Sequence, residues 1–201
     1  MYELIILSLL MCGPLHGYLI ARITNDIIGP WAKVSNGTLY PLLTKLEKNG
    51  YITIVVGGND QRQGERIART FEITEDGSKR FHQLMMDTSS NPGEYQKFFP
   101  IKVPYLYLLL PEERLHLLDH YINYCQTHIL YSKSESKETY EHTVGQNYMP
   151  PERLEGIMDV FQRIIEQWQA ELKWVQHLRE KEVARIESGQ ERERIHTDHL
   201  S

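Results

Sequence analysis

Cysteine is almost absent from this 201-residue chain. Cys12 and Cys125 are the only two, and they form neither a CxxC pair nor a disulfide framework. That excludes a disulfide-stapled secreted scaffold and suits a reducing compartment, so a cytoplasmic protein is expected. Long apolar runs are missing too. Leu4–Leu7, resuming as Leu9–Cys12 after Ser8, falls far below the roughly 20 residues a membrane span needs. No basic segment precedes it, as one would in a secretory leader. Catalytic signatures are also lacking: there is no nucleophile elbow, phosphate-binding glycine loop or HExxH sequence. His16 beside Gly17 belongs to a helix start and has no catalytic partner by sequence. Neither an enzyme, a resident cofactor nor a membrane partner is expected.

What is present is ordinary globular composition, 41% hydrophobic and 24% charged, enough to bury a core without cross-links. The net charge of −5 is unevenly placed. Residues 1–84 hold 9 basic and 8 acidic side chains, whereas residues 85–201 hold 13 and 19. Such asymmetry implies a division of labour between two halves. The break falls at Asp87-Thr88-Ser89-Ser90-Asn91-Pro92-Gly93, which reads as a linker. The expected organisation is therefore a domain at 1–86, a linker at 87–100, a helical domain at 101–187 and a flexible tail at 188–201.

In the first half, Tyr2–Met11 is apolar almost all round and reads as a central helix stopped by Gly13-Pro14. A second helix opens near His16-Gly17-Tyr18, carries Ile20, Ile23 and Ile27, and ends at Gly29-Pro30. In the third, Ser35 is the N-cap, its hydroxyl accepting a bond from a free helix N–H. Leu39, Leu42, Leu43 and Leu46 form the buried stripe, and Asn49-Gly50 closes it. Pro41 lies inside, where it removes one N–H and predicts a small kink. The period then changes to two: Tyr51–Val56 and Arg69–Thr74 read as strands joined by a long polar, glycine-rich tip. Thr74-Glu75-Asp76 opens a fourth helix with acids in its first turn.

Three helices followed by a β-hairpin make a winged helix-turn-helix. With the leucines of the third helix turned inward, its outer face shows Thr38, Pro41, Thr44, Lys45 and Lys48, and its tip shows Ser35, Asn36 and Gly37. A helix entering the major groove meets base edges with its N-terminal residues, which must be small and polar to come close. Asn, Ser and Thr can bond base edges, and Lys answers phosphates. Arg62 and Arg66 at the hairpin tip are placed to reach a neighbouring groove or the phosphate backbone. A winged helix used for protein contacts is the alternative.

At these residues the sequence resembles the PadR family of bacterial transcriptional regulators. The likeness is carried by Gly13-Pro14-Leu15-His16-Gly17-Tyr18, by the run from Asn36-Gly37-Thr38-Leu39-Tyr40-Pro41 to Asn49-Gly50-Tyr51, and by Phe71-Glu72-Ile73-Thr74-Glu75-Asp76-Gly77. The resemblance implies a homodimeric regulator, usually a repressor, released from its double-stranded DNA operator by a small molecule. It also implies DNA contacts at Tyr18, Ser35, Asn36, Thr38, Tyr40 and the wing arginines.

The second half reads as helix only, so the fold class expected is mainly α: a winged helix-turn-helix followed by an all-α dimerisation domain. Pro111-Glu112-Glu113 starts one helix, and Glu152–Ile186 makes another of roughly 50 Å at about 1.5 Å per residue. Leu154, Met158, Phe161, Ile165, Trp168, Leu172 and Val175 follow an unbroken 4-3 spacing, the seam of a coiled coil or bundle, and a homodimer is expected along it, with packing inside the chain as the alternative. Tyr105, His116, Tyr121, Tyr124 and His128 lie in an aromatic stretch where a small aromatic effector is expected, with ordinary core packing as the alternative. His116 and His120 have a chelating spacing, but no third ligand is assignable and no metal site is expected. The long helical half resembles the PadR subgroup in which some members respond to hydroxycinnamic acids; drug-like compounds are the other effector class.

Overall fold

The computed structural model describes residues 1–29, 34–55, 69–146 and 149–189. They divide into two compact units, Met1–Leu108 and Leu109–Ser201. None of the described helices is long and apolar enough to cross a membrane.

The first unit is organised around α1 (Tyr2–Met11), whose residues Leu4–Leu10 are all buried. An apolar helix without a polar face must be enclosed, and α1 packs against α2 (Gly17–Ile28), α4 (Glu75–Met86) and the sheet. Its single interior hydroxyl, Ser8, is satisfied by donating to the Leu4 carbonyl at 2.7 Å. The recognition-type helix α3 spans Asn36–Lys48 and runs through Pro41 without interruption. Leu39, Leu43 and Leu46 are buried beneath it. Gly50, at φ +75°, turns the chain out of α3 in a left-handed conformation that favours glycine.

The expected hairpin strands are β2 (Ile52–Val55) and β3 (Thr70–Ile73), paired antiparallel. A third strand was not legible in the sequence. β1 (Leu15–His16) pairs with Phe71 and Thr70, giving the sheet order β1-β3-β2. Two residues carry no periodicity, so only the pairing reveals them. Thr74 caps α4 as expected, its Oγ1 accepting from the Gly77 amide at 3.0 Å.

Residues 87–100, expected as a linker, include ordered helical structure. A 3₁₀ turn at Pro92–Glu94 leads into α5 (Tyr95–Lys102), followed by a second 3₁₀ segment, Val103–Leu108. Tyr95, Phe99 and Lys102 are buried in the first unit. Their 4-3 spacing is a one-sided helical stripe, and that outweighs the nearby Pro and Ser residues.

The second unit is a pair of long antiparallel helices, α6 (Pro111–Gln146) and α7 (Pro151–Glu187). Bonds from Arg114 to Glu182, near one end, and from Ser136 to Met158, near the other, set their direction. Ile165, Trp168 and Val175 of the expected seam are buried in this pairing, while Leu154, Met158, Phe161 and Leu172 are half-buried. The seam of α7 thus meets α6 of the same chain, the packing inside the chain given above as the alternative.

Candidate nucleic-acid interface

The outward face of the first unit is assembled from α2, α3 and the base of the hairpin. Burial of the α3 leucines turns Ser35, Gly37, Thr38, Tyr40 and Lys45 outward, and all five are exposed. Thr44 and Lys48 share that face and are exposed as well. The side chain of Asn36 lies outside the described residues, as do Arg62 and Arg66, so the expected base contact and the wing arginines have no structural placement.

Ser35 caps α3 differently from expectation. Its side chain makes no cap bond to a helix N–H. Its carbonyl instead accepts from the Thr38 and Leu39 amides at 2.9 and 3.0 Å, and its hydroxyl lies 3.2 Å from that of Thr38. Two hydroxyls thus sit side by side at the tip, each able to donate or accept toward a base edge.

Two tyrosines flank this tip. Tyr18 is 58% exposed and stacks on His16, with ring centroids 5.7 Å apart. It does not pack between helices. Tyr40 is 41% exposed and lies against Gly17. A Cβ at Gly17 would stand 3.4 Å from the Tyr40 ring and hydroxyl and 3.2 Å from Phe71, so glycine lets α2 begin close to both aromatic rings. His16 adds a second tie, since its Nδ1 lies 2.8 Å from the Thr70 hydroxyl. The start of α2, the outer side of α3 and the return strand of the hairpin therefore meet at His16-Gly17. Sequence reasoning set His16 aside as an isolated histidine; its partner is 54 residues away.

The described charge on this face is basic at Lys45 and Lys48, with exposed Arg69 at the hairpin base. Sequence reasoning missed Arg69, which stands just before β3. Three exposed cations near small hydroxyl donors suit a polyanion carrying base edges.

The expected effector residues are not brought together. Tyr105 belongs to the first unit, where it lines a cavity of about 700 Å³ between α2 and α5. The other four belong to the second unit. Tyr121 is fully buried and donates to Glu171 at 2.7 Å, and burial together with that bond pushes its phenol strongly upward. Tyr124 and His128 pack on Trp168, the His128 ring stacked at 4.2 Å. Burial lowers the His128 pKa. These three rings fill the space between α6 and α7, which is the packing alternative. His116 is exposed on α6. Cys125 is buried, and desolvation pushes its thiol up to about 12, so it is inert as a nucleophile. Among the described residues no group of three or more His, Cys, Asp or Glu side chains is placed to hold a metal ion.

Residues 6–83 match the model of the transcriptional regulator PadR-like family. No curated protein matches the chain. Among solved structures, Bacillus subtilis PadR in complex with operator DNA is similar at 18% identity and a TM-score of 0.39, over 89% of this chain and 96% of that one. The same protein in complex with p-coumaric acid is similar at 20% identity and a TM-score of 0.37, over 90% and 97%. The transcriptional regulator Cth-833 of Clostridium thermocellum is 34% identical, with a TM-score of 0.34, over 40% of this chain and 75% of that one.

Proposed function

The chain belongs to the transcriptional regulator PadR-like family, a family of regulators and not of enzymes, and from that premise we propose that it is a homodimeric, effector-released repressor that reads operator DNA with α3. The observation that carries this reading is the outward tip of α3. Ser35, Gly37 and Thr38 are exposed above buried Leu39, Leu43 and Leu46. A tip of small residues approaches base edges closely, and hydroxyls there discriminate them. Asn36 joins this tip by sequence position. Tyr18, Tyr40 and Lys45 would then meet the phosphates on either side, and Arg62 and Arg66 would extend the contact through the wing. Residues 1–86 are the module that does this.

A dimer is supported by what α6 and α7 leave uncovered. Leu130, Tyr131, Tyr140, Val144 and Val160 are large apolar side chains that stay more than half exposed on the pair. Joining two such pairs would bury them as a bundle core. Two copies of α3 about 34 Å apart would then read one face of a pseudo-palindrome. Release by a small molecule requires a cavity coupled to α3, and the space lined by Tyr105 supplies the candidate.

The test is an anisotropy titration of the full chain against the duplex upstream of its own coding region. Asn36→Ala and Thr38→Ala should each weaken binding about tenfold or more, as loss of a base contact does. They should leave the sedimentation behaviour unchanged. Unaltered affinity in both variants would remove α3 from the interface.

A further inference from the structure

We infer that Gly37 and Pro41 together read one T·A base pair: the Gly37 carbonyl accepts from the adenine amino group, and the Pro41 ring packs on the thymine methyl. This rests on the reading of α3 as the DNA-contacting helix and names two of its specificity-determining residues. Glycine and proline are the residue types least suited to a helix interior, yet α3 holds both, one turn apart. The packing of the protein requires neither. A Cβ at Gly37 would meet only the Ser35 Oγ, at 3.5 Å, which is ordinary contact. Its backbone is helical, with no positive φ for glycine to accommodate. Pro41 is exposed, whereas Leu39, Leu43 and Leu46 hold the helix to the core. Since α3 begins at Asn36, Pro41 also lies beyond the first turn, where proline would help a helix to start.

One external partner accounts for both residues. Proline has no N–H, so the Gly37 carbonyl, four residues earlier, has no ordinary helical donor. Residues four apart share a helix face, and Gly37 and Pro41 are both exposed. A backbone acceptor without its helical bond is thus turned outward, and Gly37 has no side chain to shield it. In the major groove a carbonyl can accept only from the amino groups of adenine and cytosine. Beside that carbonyl the proline ring offers carbon alone, and the thymine methyl is the apolar group which that groove presents. An amino donor and a methyl occur on the same pair only in T·A; a C·G pair has the donor without the methyl.

The experiment uses the full chain and the duplex upstream of its own coding region, with the protected bases located by footprinting. Each protected thymine is replaced singly by deoxyuridine, which lacks the methyl, and each protected adenine by purine deoxyriboside, which lacks the amino group. One T·A pair in each half-site should stand out, losing about threefold without the methyl and about fivefold without the amino group. In Pro41→Ala the ring goes and an N–H returns to the Gly37 carbonyl. Affinity should then fall about tenfold, and both analogues should become silent at that pair. The same variant should unfold at higher urea, because alanine suits a helix better. Stability and recognition thus move in opposite directions, which a proline serving the fold would not produce. Gly37→Ala should keep its fold and also weaken binding. Affinity for a duplex of scrambled sequence should stay unchanged in both variants, since neither removes a phosphate contact. A Pro41→Ala chain less stable than the parent would overturn the inference, because the proline would then serve the fold. So would unchanged affinity in that variant, or sensitivity to the analogues that survives it. A parent chain that prefers the upstream duplex no more than the scrambled one would sink the reading of α3 itself. Binding that depends on Asn36 and Thr38 but ignores Pro41→Ala would overturn this inference alone.

Discussion

The Nδ1 atom of His16 and the hydroxyl of Thr70 lie 2.8 Å apart, and this bond ties the start of α2 to the strand that returns from the wing. His16 also supports Tyr18 by stacking. Thr70→Val removes the bond while keeping the β-branched shape. It should cost about 1 kcal/mol of stability, the usual net worth of one such bond, readable in a urea titration. Its effect on DNA should be larger than that of a substitution at exposed Gln83, because two parts of the interface lose their common anchor. If affinity for the upstream duplex is as insensitive to Thr70→Val as to Gln83→Ala, the wing and α2 are not coupled here.

Among the described glycines, Gly77 leaves the least room for a side chain. A Cβ there would fall 1.9 Å from the Tyr51 carbonyl oxygen and 2.8 Å from the Ile73 side chain. Backbone cannot step aside as a flexible side chain can, and the same Tyr51 oxygen accepts from the Thr74 amide that leads into α4. Gly77→Ala should therefore destabilise by about 3 kcal/mol or more, at the severe end of single substitutions. Ser78→Ala, next door, should fall near 1 kcal/mol. Soluble yield and the urea midpoint of the two variants, compared side by side, check this; equal values would mean α4 can slide.

How far the sequence foretold the molecule depends on how many residues carry each signal. The helices α3 and α7 repeat an apolar stripe and α1 is apolar almost all round, so these were legible, as were the Ser35 and Thr74 boundaries and the Pro111 start of α6. β1 has two residues and only its pairing with β3 defines it. The stripe Tyr95, Phe99 and Lys102 was hidden by a buried lysine, which breaks any apolar pattern. At the candidate interface the residue types of the α3 tip were legible, whereas the His16–Thr70 tie joins distant residues through pairing that spacing does not encode. The aromatic stretch left two readings open for a related reason: Tyr124 and His128 have the composition of a pocket lining, and only the structure shows that they pack on Trp168, far along the chain.

Arg114 and Glu182 form an ion pair at 2.8 Å, with side chains only 2% and 4% exposed. Arg114 also donates to the Leu109 carbonyl, and Glu182 accepts from Arg185. Removing one member leaves a buried charge without its partner, which typically costs about 3–5 kcal/mol. Glu182→Leu should therefore unfold at much lower urea. The double variant Arg114→Met with Glu182→Leu should recover most of the loss, because apolar residues of similar volume replace both charges. A double variant as unstable as the single one would show that the bonds of Arg114 to Leu109 matter more than the pair.

Lys102 gives the first unit a distinctive response to alkaline pH. Its side chain is 1% exposed and its Nζ donates to the carbonyls of Met85 and Asp87 at 2.8 and 2.6 Å. Desolvation lowers its pKa from 10.5 to about 8, against the opposing pull of Asp87. A neutral amine keeps two N–H groups, enough for both carbonyls, so the fold survives its deprotonation. Between pH 8 and 10.5 the unfolded chain binds the proton that the folded chain has released. Stability from this group therefore rises with pH across that window, by at most about 1.4 kcal/mol per pH unit. In the unfolded chain tyrosine begins to ionise toward the upper end of that window, so the informative quantity is the difference between the parent chain and Lys102→Met from pH 8 to 9.5. Urea unfolding should show the parent gaining on the variant as pH increases through that interval. A constant difference would mean that Lys102 stays charged where it is buried and that its bonds to the end of α4 outweigh the loss of water.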